Sequence, residues 1–446
     1  MPNRFLSRVS LTRGLVGAAL LASATVLPLA ARAGGLALGT DAKTSILHPG
    51  SGALVFDVLA PFSGPDAPFG AHAVPAAKTG VYMLNQLGGI LGHKFELITT
   101  DTRGDPADAV PALNAMVAST PNLEAVLGPT SDEALATIPV LRRDGIPTFN
   151  QAGSIQLDHM HSKWVYRILA SDNEDATAMF YQGFVLDHYR RAALLFTSNA
   201  GAQSMVAPLS YLWTHAGGKI VINEAITPDQ PTYRTALLRL IQAKPQIIFT
   251  ETDDATAGTL WPELYQLEGL RIPIQGDGPT TGQDYYQAVQ KGFGTNTAGL
   301  AQFRKDFYGV EFSTAYTKAT PTFLYWFHKV YPNQQPLLGH VNYYDSITLI
   351  ALAMLKAHSI DPNVWINDIK WFTQDLNAAP CYSFVECRAM MTHERVQYIG
   401  TKGSMHFNAS NTVNVSEQRV AFLPNGLLRV VNQIPSSELA PYQTPY

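Results

Sequence analysis

The sequence predicts an α/β protein made of two doubly wound, mainly parallel sheets flanked by helices. Three observations carry that prediction. Short apolar runs such as ALVFDVLAP, RAALLFT and PQIIFTE alternate with helical stretches over most of the chain. The connections have the length of strand–helix–strand units rather than of hairpins. The alternation also runs twice in succession, so two similar halves are expected, with a cleft between them.

The N-terminus comes first. Arg4, Arg8 and Arg13 precede an apolar run from Leu15 to about Ala31, which ends in Ala31-Arg32-Ala33 before Gly34. That order of charged, apolar and small residues is a secretory signal peptide, expected over 1–33. The run is short for an anchor, and no cysteine stands near the cleavage point for lipid attachment. Residues 34–50 read as a flexible lead-in. The mature chain of roughly 410 residues suits two lobes, and it is expected in the periplasm. The net charge of −4 and a charged fraction of 15% give no basic footprint for nucleic acid. Cys381 and Cys387 are the only cysteines, and in an oxidising compartment they are expected to form a local disulfide.

From Ala53 the strands follow in order. ALVFDVLAP and FELITTD read as strands, and the helix after the second opens with Asp105 as N-cap and Pro106 at its first position. LEAVLG is the next strand. Ser131 stands where an N-cap belongs, and DEALATIPVLRRD has helical spacing with acids early and bases late. Ile146 to Phe149 form a further strand, followed by the polar loop Asn150 to Ser154. Loops at the carboxyl ends of parallel strands are where ligands bind. Backbone N–H groups at the helix start, with the hydroxyls of Ser131 and Ser154, make a cradle for a small anion. WVYRI is the next strand, and Asp172 opens a long helix. RAALLFT, KIVINEA, PQIIFTE and IPIQGDG then repeat the pattern. Beyond about Ala301 the chain turns helical, through FLYWFHKVY and NYYDSITLIALAMLKAH, and Val396 to Val430 returns to strands and turns.

These residues resemble the periplasmic solute-binding proteins of the leucine/isoleucine/valine-binding type, which serve ABC transporters. The resemblance runs from about Ala53 to His406. Phe62-Ser63-Gly64-Pro65 with Phe69-Gly70 is similar to the family's opening loop, and Asn85-Gln86-Leu87-Gly88-Gly89-Ile90 to its first helix end. Asp101 and Asp105-Pro106 match the turn before the second helix, and Gly403 to Asn408 a late glycine-and-phenylalanine strand. The resemblance implies a two-lobed type I periplasmic-binding fold. Lobe 1 is expected to take 51–171 and 302–412, and lobe 2 to take 172–301 and 413–446.

The resemblance also implies a small-molecule ligand, an amino acid or related small acid or amide, held between the lobes and delivered to a membrane permease by a monomeric receptor. Ser131 matches the serine that holds the ligand carboxylate, Ala152 the carbonyl that accepts from its ammonium, and Ser154 a hydroxyl at the same end. Phe69 falls where an aromatic ring borders the ligand. Asp277 falls where an acid of the second lobe pairs the ammonium. A zwitterion stripped of water needs such partners at both ends.

Each position also has an ordinary reading: Ser131 as a helix cap, Asp277 as a turn residue between glycines, Phe69 as a loop aromatic. Glu251, Asp253 and Asp254 start a helix at the same end of the second sheet, and one of them can face the cleft. Two departures from the family stand out. Ser198-Asn199-Ala200-Gly201 lacks the usual tyrosine, and Asp132 and Glu133 follow Ser131 directly. Acids there would repel a carboxylate if they faced the cleft.

Asp158, His159 and His161 lack a fourth metal ligand, so no metal is expected, nor any cofactor. The aromatic cluster Phe323, Tyr325, Trp326 and Phe327 has the spacing of a helix core. No G-x-S-x-G elbow or Ser/His or Cys/His pairing suggests an enzyme. Transport receptor and ligand-sensing receptor remain open alternatives, because both use the same closure.

Overall fold

The computed structural model describes residues 52–64, 66–313, 317–336, 340–413, 416–442 and 444–446. The expected signal peptide and lead-in, and Pro65 of the opening loop, lie outside the described residues.

The first lobe is organised on a five-stranded sheet: β1 (Leu54–Ala60), β2 (Phe95–Asp101), β3 (Leu123–Leu127), β4 (Thr148–Asn150) and β5 (Val165–Arg167). Its order is β2-β1-β3-β4-β5 and every pairing is parallel. β1 is buried along its whole length because helices cover both faces, which is why it reads as a continuous apolar run. The helix Ala67–Gln86 packs on one face, and the helix Asn342–Ala357 lies against it. That second helix is buried nearly all round because neighbours surround it. A Cβ on Gly80 would stand 3.1 Å from Ile347, so the two helices approach closely there. Phe323 and Phe327 join this core, while Tyr325 of the same cluster is exposed.

The second lobe holds seven strands in the order β15-β14-β10-β9-β8-β6-β7. They are β6 (Arg191–Thr197), β7 (Lys219–Ile226), β8 (Ile247–Glu251), β9 (Ile274–Gly276), β10 (Phe307–Phe312), β14 (Glu417–Phe422) and β15 (Leu428–Ile434). The first five repeat the doubly wound order of lobe 1, and β14 and β15 add an antiparallel edge. β11 (Ala379–Cys381), β12 (Val396–Gly400) and β13 (Gly403–Ser404) form a separate small sheet. Cys381 and Cys387 are bonded to each other beside it.

One lobe boundary differs from the sequence expectation. The sequence places 302–412 in the first lobe, yet β10 pairs in parallel with β9 in the second sheet. The short FYGVEF run is flanked by helices on both sides, so the helical pattern around it masks the strand. The helix at 131 also starts one residue earlier than expected. Ser131 is its first helical residue and Thr130 is the N-cap, with no side-chain capping bond. Asp105 does cap its helix, accepting from Ala107 N at 2.7 Å.

Candidate ligand cleft

In each sheet the strand order reverses once, between β1 and β3 in lobe 1 and between β6 and β8 in lobe 2. Ligands of open α/β sheets bind outside the carboxyl ends of strands at such switch points. All five ligand candidates lie on loops or helix starts that follow strand ends.

The β3 end turns through Gly128, whose φ of +130° and 2.0 Å approach of a hypothetical Cβ to the Leu59 carbonyl oxygen leave room for glycine alone. Glu133 then locks the strand ends together, accepting from Thr102 Oγ1 at 2.8 Å and from Thr130 Oγ1 at 2.6 Å. Ser131 Oγ accepts from the backbone N–H of Gly153 at 2.9 Å, which ties the β3 loop to the β4 loop. Ala152 is fully buried, and its carbonyl accepts from Arg167 Nε at 2.8 Å. Arg167, 1% exposed, also donates to the Gly153 carbonyl and to Asp158. Asp158 is therefore the arginine's counter-ion; among the described residues no group of three or more His, Cys, Asp or Glu could hold a metal. Ser154 is buried at the start of the turn Ile155–Leu157. Phe69 packs edge-on against His340 with ring centroids 4.7 Å apart, and His340 Nδ1 lies 2.9 Å from Gln151 Oε1. Burial, then His72 and Lys402, push His340 down to about 3 and keep it neutral.

In the second lobe, Asp277 follows β9 and is 2% exposed. Its backbone carbonyl accepts from Thr280 N and Thr280 Oγ1 at 3.1 and 2.8 Å, which fixes the turn. Its carboxyl group faces that of Glu251 at the end of β8, and two buried carboxyls side by side resist ionising together. Burial pushes Asp277 up to about 7 and Glu251 well above the usual range. The other oxygen of Asp277, Oδ1, is buried and has no hydrogen-bond partner. Of the acids flagged with Glu251, Asp253 instead caps its own helix through Thr256 N at 2.8 Å.

The lobes meet directly around this cleft. Asp132 Oδ1 accepts from Gly201 N at 2.7 Å, and Asp132 Oδ2 accepts from Asn199 Nδ2 at 3.2 Å. Ile155 N donates to Ser204 Oγ at 2.9 Å, and His72 Nε2 lies 2.9 Å from Asp284 Oδ2. The two departures from the family pattern are thus partners of one another. The acid after Ser131 binds the segment that lacks a tyrosine. A bulky ring at 201 would not fit, since even a Cβ there would stand 3.3 Å from Ser131 Cβ.

The family model for periplasmic binding proteins matches residues 58–380. The chain belongs to this family. The Leu/Ile/Val-binding protein BraC3 of Rhizobium johnstonii is 28% identical over 232 residues, 50% of this chain and 61% of that protein. The Leu/Ile/Val-binding protein homolog 3 of Brucella melitensis is 25% identical over 253 residues, 55% of this chain and 66% of that protein. The chain thus spans about 61–66% of the length of these curated relatives. Among solved structures, a leucine binding protein from Thermotoga maritima matches with a TM-score of 0.70 at 15% identity, covering 86% of this chain and all of that one. A branched-chain amino acid transporter substrate binding protein from Streptococcus pneumoniae, in complex with isoleucine, gives 0.67 at 18% identity, covering 86% and 99%. A solute binding protein from R. palustris in complex with benzoate gives 0.67 at 18%, covering 86% and 97%. At these identities the structures establish the type I periplasmic-binding fold of this chain.

Sequence reasoning missed Arg167, Gln151 and His340. Arg167 sits in a strand and His340 at a helix start, and neither position carries a local motif. Only the folded loops bring them to Ala152 and Phe69.

Proposed function

We propose that this member of the periplasmic binding protein family is an exported receptor that captures a small solute with an amine end, of the amino-acid class or a close relative, between its lobes and delivers it to an ABC transporter permease. The observation that carries the reading is Asp277, a buried acid at a strand end with one oxygen left without a partner. A buried carboxylate oxygen without a donor costs free energy, and an ammonium entering the cleft would recover it. Phe69 and the loop from Ala152 to Ser154 would form the facing wall, with Ser131 holding that loop in shape. The names of the curated relatives support amino acids as the first class to try. The charged, apolar and small-residue order of 1–33 supports export to the periplasm.

A thermal-shift screen of the mature protein against amino acids, amides, amines and small acids tests the reading. A ligand that binds the folded state alone raises the melting temperature, by an amount that grows with its concentration over Kd. Small-angle scattering with and without the hit then reads lobe closure. A hit that closes the lobes supports a receptor. Silence across the whole panel removes the amine-bearing solute from the reading.

A further inference from the structure

Resting on the receptor reading, we propose that this cleft selects a small organic cation without a carboxylate, an amine or diamine, over an α-amino acid. The cradle that would hold a ligand carboxylate has an acid beside it. Ser131 Oγ accepts from the Gly153 N–H and keeps its O–H to donate, but Asp132 in the first turn of the same helix brings its own carboxylate to the lobe interface. A second carboxylate beside it would meet like charge without an intervening cation. The basic side chains near the site are committed elsewhere. Arg167 is bound to two carbonyls and Asp158, His72 is paired with Asp284, and Lys402 sits among Glu311, Glu417 and Asp345.

The open groups point the same way. Asp277 Oδ1 and Asp172 Oδ2 are buried acceptors without donors. Asp172 opens the segment packed on the β4 loop; a Cβ on Gly153 would fall 1.8 Å from its Oδ1. Against these two carboxylate oxygens stands one open donor in that loop, the neutral Asn150 Nδ2. A ligand that donates several hydrogen bonds and carries positive charge would satisfy both acids, whereas a ligand carboxylate would find the Asn150 amide and the Ser131 O–H beside the Asp132 carboxylate. The acids facing the Glu251–Asp277 pair are Asp172, Asp132 and Asp175, and all of them favour a cation. The pair adds a signature of its own: a cation arriving at Asp277 stabilises the ionised form, so a proton held by the pair leaves to solvent.

The test is isothermal titration at pH 7 in two buffers of different protonation enthalpy, with 1,4-diaminobutane and butylamine set against leucine and benzoate. The expected result is that an amine binds, that its heat differs between buffers in the sense of proton release, and that leucine and benzoate bind at least about tenfold more weakly. Glu251→Gln, with an unchanged melting curve, should remove the buffer dependence, and Asp277→Asn should weaken the amine. Leucine binding more tightly than both amines would overturn the proposal and leave the receptor reading in place. An amine that binds with equal heat in both buffers would overturn the role of the acid pair. No binding and no closure with any of the four would overturn the proposal together with the amine-receptor reading.

Discussion

Two buried carboxylates, Asp345 in the first lobe and Asp277 in the second, have opposite surroundings. Asp345 lies in the core helix Asn342–Ala357 and accepts from Tyr398 Oη at 2.7 Å, Thr401 N at 2.9 Å and Thr401 Oγ1 at 2.6 Å. The chain itself supplies every donor, and the acid fastens the small sheet to the helix. Asp277 faces another acid, Glu251, and keeps one oxygen open. A buried acid saturated by its own chain builds structure, and one left short at the lobe interface is the one a ligand donor would complete under the proposed reading.

Replacing the two acids separates those roles. Asp345→Ala strands three donors in the core and should lower stability by about 3–5 kcal/mol in urea denaturation. Ligand affinity, measured where the variant is still folded, should stay within a few-fold. Asp277→Asn should do the reverse. It is expected to weaken the ligand by about 100-fold, roughly 2.7 kcal/mol, while the melting temperature of the ligand-free protein holds or rises. A loss of stability in the second variant comparable to the first would erase the distinction.

The same contrast has a pH signature. Asp277 and Asp66 are both pushed up to about 7, Asp66 by burial and then by Asp132, Asp253, Glu133 and Asp229. Unfolded carboxyls titrate near 3.9, so the folded state holds these protons more tightly. The stability they contribute is full below about pH 4 and is lost as pH rises through about 7. His340, held neutral in the fold, acts in the opposite sense below about 6.5. The slope is therefore cleanest from pH 6.5 to 8, where the ligand-free melting temperature should fall, by the equivalent of about 1–2 kcal/mol. Asp277→Asn should remove only its own share of that fall, because Asp66 remains, as do Asp57, Glu124 and Glu174, which burial also pushes up to about 7. A flat wild-type profile would mean these acids are solvated.

The fold was legible because two sheets of buried parallel strands print as repeated apolar runs, and the helices between them print as spaced ones. β10 was not, since a six-residue strand between helices leaves a weak trace. At the cleft, strand ends could be read from the sequence, which brought Ser131 and Ser154 into view, while Ala152 and Asp277 came from the family resemblance. What each does there depends on groups far away in the chain. The Ala152 carbonyl meets Arg167 from a strand, and Ser131 meets a backbone N–H rather than capping its helix. Asp132 meets Gly201, 69 residues on. Such pairings follow from the packing of lobes, which no local pattern encodes.

The smallest effect concerns that last contact. Asp132 accepts from two donors of the other lobe, and one of them, the Gly201 N–H, is held at 2.7 Å. Bonds of this kind contribute about 1 kcal/mol net each, because open lobes would offer the same groups to water. Asp132→Ala should therefore shift a ligand-free open–closed equilibrium towards open by about fivefold to thirtyfold. A distance probe between the lobes, such as paired fluorophores, reads this directly. Folding stability should change little, since Asp132 is half-buried and its partners regain water when the lobes part. Asp132→Asn keeps the acceptor oxygen but removes the charge. If closure is set by the hydrogen bonds, the amide should restore most of it. If it is set by charge, the amide should behave as alanine does, and the carboxylate would then belong with Asp277 among the groups a cation would draw together.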